Sequence, residues 1–475
     1  MLYYNFKYEL KILLRSRWIQ LISILLLGLF VFAAFNGENK VEKRKVNISK
    51  ARTEVQASDK NMLAVLDSLE NGMNVHVSRY KIPTSPISIG NYYPRVAAMD
   101  PNDMGFLAVG QSDIFTHYVL PTVFGDDFAL NFTEMTSPIQ LLFGSFDLMF
   151  VIVYLLPLLI IAFSYNVLSE EKERGTLRLL ASQPISIRKW VLQKLAMRLF
   201  CLFVIIIVVS AIVFGFFANV PFISFLSFLA LVFCYMLFWF SLAFAINISS
   251  SKSAKNALSL LGLWIVFVLL MPSIISQTGD IFYPIPPRTE MISEIREHKA
   301  AATKKQDQIL DNFLRDHPEY AVNDPSQARS FWHGYIASQQ LIKEELEPLF
   351  SDYEDKLKKQ QSWVSKFQWI SPAIITQSAL GTMAGTTKED YNNYQNQVYQ
   401  FAADWRNYFV PLLYNNKTFN KTMYKELPTF TYAPKKDHSL LYAIVGLLLI
   451  SVVVIAITMF SYTINLKRKG MVLMQ

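Results

Sequence analysis

Six apolar stretches limit what this chain can fold into: residues 18–35, 146–167, 199–220, 222–248, 258–276 and 440–462. A bilayer's hydrocarbon core is about 30 Å thick and takes about 20 predominantly apolar residues of helix to cross, so each stretch reads as a membrane span. Composition agrees. Hydrophobic side chains make up 52% and charged ones 17%, against about a quarter charged in an ordinary soluble domain. The first stretch is followed by the charged "FNGENKVEKRK" rather than by small residues suited to cleavage, so it reads as a retained helix. Cys201 and Cys234 both fall inside apolar runs. They supply no disulfide framework or metal site and read as small buried hydrophobes.

Charge at the span ends sets the expected orientation. Lys7, Lys11, Arg15 and Arg17 precede the first span; Arg174, Arg178, Arg188, Lys189, Lys194 and Arg198 fall between the second and third. Lys252 and Lys255 lie between the fourth and fifth, and Lys467, Arg468 and Lys469 follow the sixth. These sites alternate as the positive-inside bias requires for six spans with both termini cytoplasmic. The net charge of +8 is thereby explained by membrane topology, and no nucleic-acid partner is expected. The chain then divides into cytoplasmic segments 1–17, 168–198, 249–257 and 463–475 and two large extracytoplasmic regions, 36–145 and 277–439.

The second outer region has helical patterning over 288–314 and 327–367, interrupted by "HPEYAVNDPSQ" with Pro318 and Pro325 as breakers. A third helix is expected after "GTTKED", where Thr386 and Glu389 have capping-box spacing. In the first outer region a short helix is expected near 55–69, followed by turn and strand character in "YKIPTSPISIGNYYP". The fold class is therefore all-α and polytopic, with a mainly helical extracytoplasmic domain.

No catalytic, cofactor or metal pattern is present. The sequence has no nucleophile elbow, no H-E-x-x-H and no phosphate loop. His76, His117, His298, His317, His333 and His438 are scattered and read as solvated or locally bonded side chains. Ion-coupled transporters place acids, bases or broken helices at the membrane midplane. Here Asp147 lies at a span end, where it is expected to reach water, and Pro157 and Pro272 are the internal prolines of note. If the chain moves a substrate, the energy comes from another subunit.

The loop after the second span, "SEEKERGTLRLLASQPISIRKW", carries the strongest functional signal. Glu170 and Arg174 have the favourable acid-then-base spacing of a helix extending toward Leu180, within which Gly175 suggests a close approach. Pro184 breaks that helix. Ser186 can cap a return helix on which Ile187, Val191 and Leu195 form one apolar stripe. A solvated membrane-flanking loop and a docking knob for a cytoplasmic partner both fit these residues.

The pattern E-E-K-E-R-G-T-L-R-L-L-x-x-x-P-I-S resembles the signature of ABC-2 type permeases, the membrane subunits of one class of ABC transporters. The resemblance implies that the loop is a coupling helix seated on a separate ATPase subunit. The implied contact residues are Glu170, Glu171, Glu173, Arg174, Gly175, Thr176, Leu177, Leu180, Pro184 and Ser186, with Arg178 where the family commonly has an acid. The N-terminal "YYNFKYELKILLRSRW" is similar to the family's interfacial elbow helix, which the resemblance places over residues 1–17. "FLAVGQSDIFTHY" and "WISPAIITQSALGTMAGTTKEDY" resemble a bacterial subgroup with large extracytoplasmic insertions.

The resemblance implies a multi-pass protein of the bacterial inner membrane that exports or extracts a substrate. ATP and Mg would sit on partner ATPases, and no cofactor in this chain. The implied partners are those ATPases, a second permease in a homodimer or heterodimer, membrane lipid and a periplasmic or envelope protein. A non-transporting anchored module that binds an envelope partner through its outer domain is the alternative.

Overall fold

The computed structural model describes residues 9–11, 15, 17–110, 116–124, 146–177, 186–217, 220–249, 252–286, 288–304, 315, 331–415, 417–435 and 439–472. Six helices among them are long and apolar enough to cross a membrane. The first, α1 (Arg17–Glu70), is one unbroken rod of 54 residues, about 80 Å at 1.5 Å per residue. The helix expected over 55–69 is the far end of this rod. The apolar part of α1 buries Leu26, Phe30, Ala33 and Ala34 against the other spans while Leu21, Ile24 and Phe32 stay exposed, as a lipid-facing side must.

The second span starts with α3 (Leu148–Phe150), passes through a π-helical turn at Val151–Leu155 and continues as α4 (Leu156–Ser164). The third is α6 (Ile187–Phe217) and the fourth α7 (Phe222–Ser249). The fifth repeats the plan of the second: α8 (Ser253–Trp264), a π turn at Ile265–Leu270, then α9 (Met271–Phe282). The sixth is α14 (Ser439–Val472). The fourth span is 72% buried over its most apolar window and the fifth only 17%, so α7 is the centre of the bundle and the fifth span lies at its edge.

Both π turns are followed by a proline, Pro157 and Pro272, which withholds an N–H from the ladder behind it. In α register Pro157 would be the donor to the Val153 carbonyl. Tyr235 of α7 donates its hydroxyl to that oxygen instead, at 2.9 Å. In the fifth span the Met271 N–H reaches Val266 O in π register, so the next donor, toward Phe267, would be Pro272. The hydroxyl of Ser371 takes that place at 2.6 Å. The Trp264 indole N–H joins the two broken spans by donating to Tyr154 O at 3.1 Å.

Ser371 begins α12 (Pro372–Ala384), its side chain accepting from the Ile374 N–H. Gly385, with φ 66°, ends the helix in the left-handed region, where its N–H and that of Thr386 close back onto Thr382 and Gly381, a glycine-specific C-terminal stop. Ala373, Ile375, Ala379 and Leu380 are buried in the same core as the spans. Residues expected in an outer segment thus include a helix packed into the bundle itself. Trp369, just before it, rests on Gly446 of the sixth span, where an added Cβ would fall 1.9 Å from the indole ring.

A second core lies along the far half of α1. Met62 and Leu66 of the rod pack with α2 (Pro86–Tyr92), the two-residue strands β1 (Ala97–Ala98) and β2 (Tyr118–Val119), and α13 (Lys388–Tyr414). β1 and β2 pair antiparallel, Ala97 opposite Val119. Trp405 and Tyr394 of α13 donate to the carbonyls of Gly90 and Ala97 at 3.0 and 2.9 Å, while Asp59 of α1 pairs with Arg95 and accepts from Tyr424. The capping box of α13 is real but one residue later than expected: Thr387 is the cap and Asp390 its partner. The shift follows from Gly385 and Thr386 being used to finish α12.

α10 (Arg288–Lys304) pairs with α11 (Phe331–Phe367), and Ile295 on the first and Ala337, Ile342 and Leu346 on the second are buried. The final turns of α11 meet the end of the fifth span, where Trp363 packs on Phe282 and donates to Thr278 at 3.2 Å.

Gly37 of α1 faces the Phe106 backbone so closely that a Cβ would fall 2.2 Å from the Phe106 carbonyl oxygen, whereas Gly28 has nothing within 4 Å. Gly37→Ala is expected to destabilise the protein by about 1–3 kcal/mol through overpacking, read as a lower Tm in detergent. Gly28→Ala is expected to leave Tm unchanged or raise it slightly.

Candidate functional site

The second span ends at Ser164, turns through residues 165–168 and resumes as the short helix α5 (Ser169–Glu173). A helix end inside a bundle leaves carbonyls without donors, and three neighbouring spans supply them. Asn247 of α7, 0% exposed, donates to Ser164 O at 2.8 Å and accepts from the Leu168 N–H at 3.2 Å. Asn256 of α8, also 0% exposed, donates to Tyr165 O at 2.9 Å. Arg198 of α6 donates to Phe163 O and to Asn166.

The same neighbours hold α5. Glu173 accepts from the Ser253 N–H at 2.8 Å and from its hydroxyl at 2.9 Å, which places a carboxylate on the N-terminus of the fifth span, where the helix dipole favours it. The Ser253 hydroxyl also lies within hydrogen-bond distance of the Ser169 hydroxyl, at 2.8 Å. On the other side Glu171 meets Lys194 of α6 at 3.2 Å. Lys194 and Arg198 in turn pair with Glu9, at 3.6 and 3.0 Å. Glu9 is 3% exposed, so these two cations are what make its burial tolerable.

Glu170 and Arg174 form the expected ion pair. The helix does not continue toward Leu180, however. Arg174 caps its C-terminus, Gly175 follows with φ 74°, and Thr176 turns its hydroxyl back to Glu171. Nothing lies within 4 Å of a Cβ built on Gly175. Its role is the left-handed stop, not the close approach suggested by the sequence. Glu173, Arg174, Gly175 and Thr176 are exposed together at the tip, and Leu177 packs back against the bundle core. Arg178, Leu180 and Pro184 lie outside the described residues. Ser186 is exposed just before α6, and its backbone carbonyl accepts from the Trp190 N–H. The return helix is the start of α6 itself, and its stripe residues Val191 and Leu195 are buried in the main core.

Asn247, Asn256, Ser253, Glu9 and Arg198 are the site residues that sequence reasoning missed. Their signal was there: a polar residue inside or against an apolar span is a functional candidate by default.

Two expectations about single residues change. Asp147 does not reach water: it is 0% exposed and caps the second span, accepting from the Phe150, Val109 and Gly110 N–H groups at 2.9, 2.9 and 3.3 Å. His117 is not a solvated histidine, since its Nδ1 is buried. No group of three or more His, Cys, Asp or Glu side chains suited to a metal occurs among the described residues.

The fold is thus that of a helical polytopic membrane protein with a polar-clamped knob between its second and third spans. A family model described as ABC-2 membrane transporter related matches residues 126–223, which include those two spans and the knob. A second, described as a domain of unknown function (DUF3526), matches residues 288–433, from α10 through α13 and beyond. No curated protein matches the chain. The resemblance to ABC-2 type permeases therefore stands on the residues that suggested it, and the second insertion is a module shared with other proteins.

Asn247→Leu would strand the Ser164 carbonyl and the Leu168 N–H in the bundle. At about 1–3 kcal/mol for each orphaned group, it is expected to lower Tm and to speed hydrogen exchange over residues 164–173 while leaving exchange in α13 unchanged.

Proposed function

We propose that this protein is the permease subunit of an ABC-2 type transporter of the bacterial inner membrane. Both termini and the α5 knob would be cytoplasmic and the two insertions extracytoplasmic. ATP and Mg would bind on separate ATPase subunits, and a second permease, identical or related, would complete the membrane part. The transported substrate would be exported or extracted from the membrane.

The observation that carries this reading is the way the knob is held. A solvated connecting loop needs no anchoring, yet Glu171 is tied to the third span, Glu173 to the fifth, and the turn behind them to the fourth. A push or pull on the exposed tip would therefore act on four spans together. Glu173, Arg174, Gly175 and Thr176 would face the ATPase.

The test uses the complex purified from native membranes with the ABC ATPase that accompanies it. Glu171→Ala and Gly175→Val are expected to lower ATP hydrolysis per complex at least about tenfold, roughly the effect of losing 1.4 kcal/mol of coupling, with the Tm of the membrane subunit little changed by Glu171→Ala and lowered by Gly175→Val, whose β-branched side chain strains the left-handed turn. Unchanged assembly together with unchanged hydrolysis in both variants would overturn the coupling role.

A further inference from the structure

A small cleft opens beside α1 just beyond its apolar part, walled by Lys40, Arg44, Asn102, Val109, His117 and Thr386 among others. Lys40 and Arg44 are one helical turn apart and so share a face of the rod. Among the described residues no carboxylate lines the cleft. The nearby acid, Asp147, offsets part of the Lys40 charge but already accepts three backbone N–H groups. Arg44 donates to the Met99 carbonyl at 2.7 Å, which fixes the guanidinium in place. Burial, and then the Arg44 charge, push the His117 imidazole down to about 3, so it is neutral at physiological pH. Its Nδ1 is buried without a hydrogen-bond partner, an unfavourable state that an oxygen reaching it as acceptor for its N–H would relieve.

Size and depth narrow the ligand. The cleft is small and open on one side, so a ligand inserts only part of itself and keeps the rest of its bulk outside. The first apolar stretch ends at residue 35 and the second begins at residue 146, so Asn36, which donates to the Phe146 carbonyl at 2.8 Å, lies where both spans are expected to end. Lys40 stands four residues further along, about 6 Å at 1.5 Å per residue, within the headgroup layer that extends about 5–7 Å beyond the hydrocarbon on each side.

We infer that this cleft binds a phosphate-type oxyanion, supplied by the headgroup of an anionic phospholipid in the leaflet on the side of the insertions. Its walls come from the α1 rod, the loop carrying Asn102 and Val109, and Thr386 at the α12–α13 junction. A bound headgroup would thus pin both insertions to the membrane at one point. The inference stands apart from ATPase coupling, since no residue of the α5 knob takes part.

The full chain is placed in nanodiscs of phosphatidylglycerol mixed equally with phosphatidylcholine, and the lipids it retains are read by native mass spectrometry. Wild type is expected to retain phosphatidylglycerol in preference to phosphatidylcholine. Lys40→Gln should reduce that retention about tenfold, the effect of one lost charge-assisted hydrogen bond. His117→Phe should also reduce it, with His117→Asn as the substitute if the phenylalanine variant fails to fold. Lys43→Gln, an exposed cation on the same rod outside the cleft, should change nothing. Equal retention in all variants would overturn the site, as would an equal loss in Lys43→Gln and Lys40→Gln, which would mean diffuse surface charge. In a second arm, inorganic phosphate is titrated into phosphatidylcholine nanodiscs while the ¹⁵N signal of His117 is followed. A response to free phosphate without any phosphatidylglycerol preference would overturn the lipid as its source.

Discussion

Inside a bilayer a backbone carbonyl without a donor costs several kcal/mol, because no water is there to replace the missing bond. Among its described residues this chain breaks its own helical ladders inside the bundle at the π turns before Pro157 and Pro272, and where the second span ends at Ser164. At each break a freed carbonyl is met by a side chain from another element. Tyr235 serves Val153, Ser371 serves Phe267, Asn247 serves Ser164 and Asn256 serves Tyr165. The packing of spans two, four and five, and the seating of α12 among them, satisfy that requirement. It also explains why α7, which carries both Tyr235 and Asn247, is the most enclosed span.

The bundle and the second core are joined by continuous helix as well as by loops. The α1 rod runs from one core into the other, and α11 reaches back to pack Trp363 on the end of the fifth span. α12 then enters the bundle, and α13 leaves it just after the Gly385–Thr386 stop. A change in the tilt of the first span would be delivered to the second core with little loss, since a helix of this length bends only gently without a break. The two insertions are thus mechanically part of the membrane region. Asp147 reinforces the join by tying the loop at Val109 and Gly110 to the start of the second span.

Much of the candidate site was legible as residue type and spacing. Glu170 and Arg174 pair as their four-residue separation requires, and Val191 and Leu195 bury the stripe they share. Legibility failed where the answer depended on a distant partner. Gly175 looked like a contact point inside a helix, but the backbone turns left-handed there, two residues past the helix end at Glu173. Thr386 had capping-box spacing with Glu389, yet Thr387 caps with Asp390, because the preceding helix uses Thr386 for its own termination. His117 and Asp147 looked solvated because nothing local covers them. The residues that do cover them are far away in sequence.

The sequence by itself determined that this is a six-span helical membrane protein with polar insertions and a charged knob. Those properties are set by local quantities: the length of an apolar run, the placement of lysine and arginine, and the spacing of short-range pairs. Tertiary structure alone decided which spans hold the knob, which side chains answer the broken ladders, and that α12 packs inside the bundle. These are pairings between groups some 80 to 110 residues apart. A buried carbonyl accepts any donor that reaches it, so its partner is chosen by packing and leaves no periodic trace along the chain.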